Sequence, residues 1–236
     1  MGVPGAIRRA PIFVVPAFLC TMAIHDTDLE DYCVQHSSPE SEVLGRLRRE
    51  TWLTTVQPLM LSDVGTGRLL GLFSRLLRPT AVLELGTFTG YATVCLAEGI
   101  VPGGHVDTVD PDDERHAVQD RFWAEAGVDA VIRRHTGAAL DVLPGLPGPY
   151  DLVWIDADKR HTTAYVEAAI ERTRSGGLIL VDNVLWWGKV LEGASSTDPD
   201  ARNLHALTAS LSRDPRVTST LLPLRDGLLL LERTGA

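Results

Sequence analysis

The sequence predicts an α/β protein built on a doubly wound, mostly parallel sheet. Between residues 81 and 213, short apolar runs alternate with segments of helical periodicity, which is typical of parallel strands joined by helical crossovers. Two further apolar runs follow, separated by Leu224-Arg225-Asp226-Gly227. An Asp-Gly pair between two strands indicates an antiparallel hairpin. Together these strands predict a seven-stranded, Rossmann-like sheet that ends in a C-terminal hairpin.

Accessory helices are expected before the first strand. The first spans about 27–36. The second is expected to start at Ser37-Ser38-Pro39-Glu40, which offers a cap, a proline for the first turn and an acid. It should end before Pro58, and a loop then leads to a third helix over 64–77.

From residue 81 onwards strands and helices are expected in alternation. The expected strands are 81–85, 105–109, 130–135, 151–155, 178–181, 217–222 and 228–232. The expected helices are 91–99, 112–126, 138–143, 161–173 and 201–213. Because no repeat or interdomain linker interrupts this pattern, residues 23–236 are expected to form a single domain.

Composition argues against some classes of protein. The 236-residue chain has a formal net charge of −9, so we expect no nucleic-acid partner, because phosphate recognition needs a basic face. Its three cysteines, Cys20, Cys33 and Cys95, form neither a C-x-x-C pair nor a zinc-binding spacing. This sparse use of cysteine fits a cytoplasmic location.

The N-terminus, residues 1–22, is interpreted as an extension of the domain. Arg8-Arg9 precede an apolar run over 12–20, which resembles the charged and apolar regions of a signal peptide. The run is too short to span a bilayer, Pro16 interrupts it, and no A-x-A cleavage site follows. We favour an accessory arm, or an upstream extension before a start at Met22, and we expect no membrane association.

A glycine turn follows the first predicted strand. The stretch Leu83-Glu84-Leu85-Gly86-Thr87-Phe88-Thr89-Gly90-Tyr91 has the pattern of a buried strand, a tight turn and a helix start. The glycine spacing is G-x-x-x-G rather than G-x-G-x-x-G, which disfavours a nicotinamide dinucleotide. Glu84 would repel a pyrophosphate but suit a cationic ligand such as a sulfonium, and Asp110 ends the next strand, where an acid can accept from ribose hydroxyls. The alternative is a strand–turn–helix unit that binds no ligand.

Acidic and amide side chains follow two later strands. Asp156 comes after one strand and Asp182-Asn183 after the next. The carboxyl ends of strands in an open α/β sheet form its ligand-binding edge, so we expect these residues beside the glycine turn. Two carboxylates and an amide oxygen suit Mg²⁺, and Lys159 can act there as a general base. The alternatives are helix caps for the acids and a solvated surface charge for the lysine.

Three motifs resemble those of one enzyme family. Residues 83–91, Trp154-Ile155-Asp156-Ala157-Asp158-Lys159 and Val181-Asp182-Asn183-Val184-Leu185-Trp186 are similar to the motifs of the cation-dependent O-methyltransferases. This family includes catechol O-methyltransferase and caffeoyl-coenzyme A O-methyltransferase. The similarity extends from about residue 28 to 232, and three motifs in this order and spacing are highly specific.

The resemblance implies S-adenosylmethionine as methyl donor and a divalent cation, Mg²⁺, as the second cofactor. It implies Asp156 and Lys159 as catalytic residues, with Lys159 as general base, and Asp156, Asp182 and Asn183 as the metal ligands. Asp110 would hold the ribose of the cofactor and Ala139 would lie by its adenine. The whole implied cofactor-binding set is Met60, Ser62, Glu84, Gly86, Thr87, Asp110, Ala139 and Asp158.

The expected acceptor is a small molecule with a vicinal diphenol, as in a catechol. Trp186 and Trp187 directly follow the metal motif and are expected to border it. Trp187 stands where plant members carry asparagine, and a large flat indole favours a compact aromatic ring over a polar acyl chain; natural-product biosynthesis is one source of such a substrate. Ala92 replaces the serine usual in the family, which removes one hydroxyl contact to the cofactor.

Other interpretations stay open at this point. The chain can be a caffeoyl-coenzyme A-type thioester methyltransferase, or a cofactor-binding protein without catalytic activity. The non-catalytic interpretation is disfavoured, because all three metal-ligand positions and Lys159 are present. The family resemblance also implies a homodimer.

Overall fold

The structure is a computed structural model, and it describes residues 27–146 and 148–235. The predicted N-terminal extension, including Met22, lies outside the described residues. None of the helices formed by the described part of the chain combines the length and apolar character needed to cross a bilayer.

The sheet has the predicted seven strands. They are β1 (Ala81–Leu85), β2 (His105–Asp110), β3 (Ile132–Thr136), β4 (Tyr150–Ile155), β5 (Thr173–Asp182), β6 (Val217–Leu222) and β7 (Leu228–Arg233). Their order is β3-β2-β1-β4-β5-β7-β6. β1 to β5 are parallel, and β7 runs antiparallel between β5 and β6. The predicted fold class, a mostly parallel sheet with a C-terminal antiparallel pair, is confirmed.

Helices cover the sheet. They are α1 (Thr27–Gln35), α2 (Glu42–Thr54), α3 (Val64–Leu77), α4 (Tyr91–Ala97), α5 (His116–Glu125), α6 (Ala139–Val142), α7 (Thr162–Arg172) and α8 (Pro199–Leu211). Successive strand residues face opposite sides of a sheet. Accordingly, Leu83 and Leu85 belong to one hydrophobic core with residues of α7 and α8, whereas Val82 belongs to a second core with residues of α2 to α5.

Several predicted boundaries were wrong. α2 begins at Glu42 with Ser41 as its cap rather than within Ser37–Glu40, because Glu40 is instead engaged by the side chains of Arg48 and Tyr91. α5 begins at His116 rather than residue 112, since Asx-type hydrogen bonds fold the residues after β2. β3 starts two residues later than expected because a short 3₁₀ turn over Asp129–Val131 comes first.

Asp151 joins three strands at the amino-terminal edge of the sheet. Its Oδ2 accepts hydrogen bonds from the N–H groups of Thr80 and Ala81, at 2.7 and 3.0 Å, and from the Thr80 hydroxyl at 2.8 Å. Its Oδ1 accepts one from the Arg174 guanidinium. Burial alone would raise the pKa of Asp151, but these bonds outweigh it and lower the pKa to about 2.

At the opposite edge, the carboxyl ends of the central strands lie level with one another. Leu85 of β1 pairs with Val109 of β2 and with Ile155 of β4. The N–H of Gly86 donates to the Val109 carbonyl at 2.9 Å, and the N–H of Asp156 donates to the Leu85 carbonyl at 2.8 Å. The strand order therefore brings together the segments in which the sequence placed the candidate functional residues.

Candidate active site

The turn after β1 has a distinctive backbone. Gly86, Phe88 and Gly90 have positive φ angles of 97°, 48° and 86°. A side-chain carbon at Gly86 would lie 2.1 Å from the carbonyl oxygen of Asp156, so only glycine permits this approach of the two chain segments. The turn is thus in direct contact with the residue that follows β4.

Asp110 holds this turn from the end of β2. Its Oδ2 accepts hydrogen bonds from the N–H groups of Thr87 and Phe88, both at 2.9 Å. Its Oδ1 accepts one from the N–H of Asp112 at 2.9 Å. Because an ionised carboxylate offers about four acceptor positions, Asp110 keeps acceptor capacity for a ligand hydroxyl.

Glu84 lies beneath the turn with none of its surface exposed. Its Oε2 accepts hydrogen bonds from the hydroxyls of Thr93 and Thr108, both at 2.6 Å, and the hydroxyls of Thr108 and Thr87 lie 2.6 Å apart. Burial raises the pKa of Glu84 to about 8, against the effect of these two bonds. Its Oε1 has no hydrogen-bond partner among the described residues, which leaves a buried acceptor beneath the turn.

The ends of β4 and β5 bring Asp156, Lys159 and Asp182 together. Lys159 Nζ donates to Asp156 Oδ1 and to the backbone carbonyl of Asp182, each at 3.2 Å. Burial and, after it, the neighbouring Asp156 carboxylate raise the pKa of Asp182 to about 7, against the opposing effect of Lys159. The predicted base and two of the predicted metal ligands are therefore neighbours in the folded chain.

Asn183, the third predicted metal ligand, directly follows Asp182 and has a left-handed backbone. Its φ is 58°, a conformation that asparagine tolerates better than most residues, and its N–H donates to Asp182 Oδ1 at 2.8 Å. No cluster of three or more His, Cys, Asp or Glu side chains suited to a metal occurs in the described ranges. The donors available here are two carboxylates and one amide oxygen, the hard oxygen ligands that suit Mg²⁺ with water or ligand oxygens in the remaining positions.

Asp158 has local partners. It caps the short 3₁₀ helix Lys159–His161, where its Oδ1 accepts from the N–H of His161 at 3.2 Å and lies 2.7 Å from the Nδ1 of that ring. Its Oδ2 accepts from the Tyr165 hydroxyl. Burial opposes these bonds, but the pKa of Asp158 is lowered on balance. The predicted cofactor contact therefore also serves as a helix cap.

The two tryptophans after the metal motif differ in environment. Trp186 is half-buried, and its Nε1 donates to Asp198 Oδ2 at 3.0 Å. Trp187 is 69% exposed, and its N–H donates to Asp226 Oδ1 at 2.5 Å. Trp187 is thus the more exposed of the two tryptophans.

The three remaining predicted cofactor residues lie on two segments, the stretch before α3 and the start of α6. Met60 is 58% exposed and lines an apolar groove of about 500 Å³ in the loop before α3. Ser62 is half-buried next to Asp63, the cap of α3. Ala139 is buried at the start of α6, close behind Gly137, whose N–H donates to the carbonyl of Asp110 at 3.0 Å.

Sequence reasoning missed two residues that contact the glycine turn. Gln119 Nε2 donates to the carbonyl of Phe88 at 2.8 Å, and Trp123 Nε1 donates to the carbonyl of Gly90 at 3.3 Å. A signal was present, because Gln119, Phe122 and Trp123 have the spacing of one helix face. A glutamine among apolar residues on such a face needs a buried hydrogen-bond partner.

A doubly wound sheet whose strand ends bring a glycine turn and several acids together is typical of enzymes that bind a nucleotide-containing ligand at that edge. Comparison with known proteins narrows this class. A family model described as O-methyltransferase matches residues 34–234. The chain therefore belongs to the O-methyltransferase family.

Individual relatives cover most of the chain. A catechol O-methyltransferase from Niastella koreensis is 35% identical over 169 residues, which is 70% of this chain and 76% of the relative. A caffeoyl-CoA O-methyltransferase from Stellaria longipes is 32% identical and covers 82% of this chain and 84% of its own length. The crystal structure of the O-methyltransferase TomG from Streptomyces achromogenes, which is involved in tomaymycin synthesis and was solved with S-adenosylmethionine, superposes with a TM-score of 0.79 at 29% identity. The superposition covers 88% of this chain and 96% of the TomG chain.

Proposed function

We propose that this S-adenosylmethionine-dependent O-methyltransferase methylates one hydroxyl of a catechol-type small molecule, with Mg²⁺ as its second cofactor. The observation that supports the proposal best is the continuous contact from the glycine turn to the metal motif. Gly86 abuts Asp156, and Lys159 bridges Asp156 and Asp182. A methyl donor at the turn and an acceptor at the acids would therefore be adjacent.

The turn suits the donor, because its groups match the parts of S-adenosylmethionine. Asp110 retains acceptor capacity for a ribose hydroxyl, and Glu84 would place a negative charge beneath the sulfonium, since a nearby cation favours the ionised form of a buried carboxyl group. The other residues of the proposed cofactor site are Met60, Ser62, Gly86, Thr87, Ala139 and Asp158.

The metal proposal rests on the chemistry of the donor set. Asp156, Asp182 and Asn183 would hold the cation. When bound, Mg²⁺ supplies a Lewis acid that favours the ionised form of the acceptor hydroxyl. Lys159, as the neutral amine, would take the hydroxyl proton at Nζ, and Asp156 would orient Lys159 through the 3.2 Å contact. The edge of the sheet aligns acceptor and donor, which removes much of the entropic barrier to transfer.

The acceptor is proposed to be compact. Trp187 offers an exposed indole next to the metal motif, which suits stacking on an aromatic ring. Lys189, the nearest cation along the chain, is bound to Asp198 at 2.8 Å and is already paired. A thioester would need cations to hold the phosphates of coenzyme A, so we favour a free catechol, such as an intermediate of natural-product biosynthesis. A cytoplasmic homodimer remains part of the proposal.

Transfer of a labelled methyl group from S-adenosylmethionine tests the proposal. We expect turnover of a free catechol acid to stop in excess chelator and to return when Mg²⁺ is added. We expect kcat/KM to be higher for the free acid than for its coenzyme A thioester. Full activity in chelator would contradict the metal proposal. A thioester favoured tenfold or more, about 1.4 kcal/mol in transition-state binding, would overturn the acceptor proposal and favour the caffeoyl-coenzyme A type.

A further inference from the structure

The glycine turn needs outside support to keep its shape. Three of its five residues have positive φ angles, and one of them, Phe88, is not a glycine. An L-residue held in the left-handed region is strained, because its side-chain carbon crowds the following carbonyl oxygen. Asp110 accepts from the N–H groups of Thr87 and Phe88, but an ionised carboxylate has no donor for the Phe88 carbonyl.

α5 supplies the donor for the Phe88 carbonyl and a second donor for the Gly90 carbonyl, which also accepts from the N–H of Val94 at 3.2 Å. Gln119 is 1% exposed, and its Nε2 donates to the Phe88 carbonyl at 2.8 Å. Trp123 Nε1 donates to the Gly90 carbonyl at 3.3 Å, and a side-chain carbon at Gly90 would lie only 2.5 Å from that nitrogen. The turn is therefore held between Asp110 on its N–H side and α5 on its carbonyl side.

Arg134 of β3 fixes which end of the Gln119 amide faces the turn. Its Nη1 donates to Gln119 Oε1 at 3.0 Å, and its guanidinium lies over the Trp123 ring at 5.3 Å. A guanidinium can only donate and a carbonyl can only accept. The amide oxygen must therefore face Arg134, and the amide nitrogen must face Phe88.

We propose that Gln119, oriented by Arg134, is a positioning residue that holds the turn in the shape that binds S-adenosylmethionine. This inference rests on the proposed cofactor site. Gln119 contacts the carbonyl of Phe88, whose own N–H donates to Asp110. Phe88 directly follows Thr87, a residue of the proposed cofactor site, so Gln119 acts on the cofactor through Phe88. Within the described part of the chain, Gln119 makes no hydrogen bond to Lys159 or to the metal motif. It is therefore expected to affect cofactor affinity and not the chemical step.

Gln119→Glu is the sharpest test, because the introduced carboxylate keeps the acceptor for Arg134 but has no donor for Phe88. We expect the Kd for S-adenosylmethionine, measured by calorimetry without acceptor, to rise about tenfold, equivalent to about 1.4 kcal/mol. At saturating cofactor, kcat should stay within about twofold of wild type, because the substitution leaves Lys159 and the metal motif unchanged. Gln35→Glu, the same change at an exposed position of α1, is the matched control and should change neither quantity.

Hydrogen exchange provides a second readout. The amides of Thr87 and Phe88 should exchange faster in the variant, while those of β5 should not.

If Gln119→Glu does not fold, Gln119→Met, which also lacks the donor, takes its place. An unchanged Kd with a lowered melting temperature would overturn the inference and leave Gln119 a packing residue. A lowered kcat with unchanged Kd would also overturn it. Failure of the wild-type protein to bind S-adenosylmethionine would instead refute the proposed function.

Discussion

Gly86→Ala tests whether the contact between the glycine turn and the end of β4 sets the geometry of the site. The new carbon would lie 2.1 Å from the carbonyl oxygen of Asp156 and 2.7 Å from its carbonyl carbon. Ordinary contact begins near 3.4 Å, so the two segments must separate by roughly 1 Å. Asp156 is both a proposed metal ligand and the partner of Lys159, and it would move with its backbone.

Gly86→Ala is expected to affect stability and reaction rate separately. The φ of 97° at Gly86 costs an alanine about 1–2 kcal/mol, and this part affects stability. The displacement of roughly 1 Å affects the reacting groups, for which such an error can lower the rate about 10²-fold. We therefore expect kcat/KM to fall by roughly that factor, together with a modest loss in the free energy of unfolding.

Gly103→Ala is the matched control. Gly103 has a φ of 85°, and a side-chain carbon there would meet nothing within 4 Å. This variant should lose stability by about 1–2 kcal/mol and keep its activity. Both free energies are measured by denaturant unfolding, and both activities by methyl transfer. Equal kcat/KM values for Gly86→Ala and wild type would show that the contact does not position Asp156.

Two further substitutions separate chemistry from stability. Lys159→Ala should lower kcat by roughly 10²–10⁴-fold with little change in cofactor affinity, because it removes the proposed general base. Arg160→Ala, at the exposed neighbouring position, is the control. A normal kcat in Lys159→Ala would show that this lysine is only a surface charge. Asp151→Asn should lower the free energy of unfolding by about 1–3 kcal/mol at pH 7, because an amide has one acceptor oxygen and cannot accept both from residues 80–81 and from Arg174. Asp141→Asn, at an exposed position, should leave it unchanged. Because the folded-state pKa of Asp151 is lowered to about 2, its stabilisation is present above about pH 4 and disappears as the pH falls toward 2. A deficit that persists unchanged at pH 2 would refute this account.

The parts of the fold that follow from local periodicity could be predicted from the sequence. Strand and helix order from Ala81 onwards, and the hairpin at Asp226-Gly227, depend on apolar runs and turn residues that lie close together in the chain. Helix starts were less predictable, because capping competes with distant partners. Glu40 illustrates this, since its contact with Tyr91 joins residues far apart in the sequence and moves the start of α2.

In the candidate site, too, some features could be predicted from the sequence and others depend on distant residues. Residues that follow strands could be placed at one edge of the sheet from topology alone, and Lys159 does bridge Asp156 and Asp182. The hydrogen-bond partners of Glu84 and Gln119 could not be predicted, because they belong to other elements of the fold. Thr108 of β2 reaches Glu84, and the arginine that orients Gln119 comes from β3.

The position of β7 affects the order in which the protein can be completed on the ribosome. β7 fills the place between β5 and β6, so β6 has no neighbour in the sheet until residues 228–233 have been synthesised. The turn before β7 also supports both loops at the site, since Asp226 accepts from the N–H groups of Leu185 and Trp187 at 2.8 and 2.5 Å, and Arg225 reaches Asp63 at 3.3 Å. A nascent chain halted before residue 228 would contain every proposed catalytic and metal-binding residue and still lack the strand that holds them in register. We therefore expect the site to form only once β7 has joined the sheet between β5 and β6.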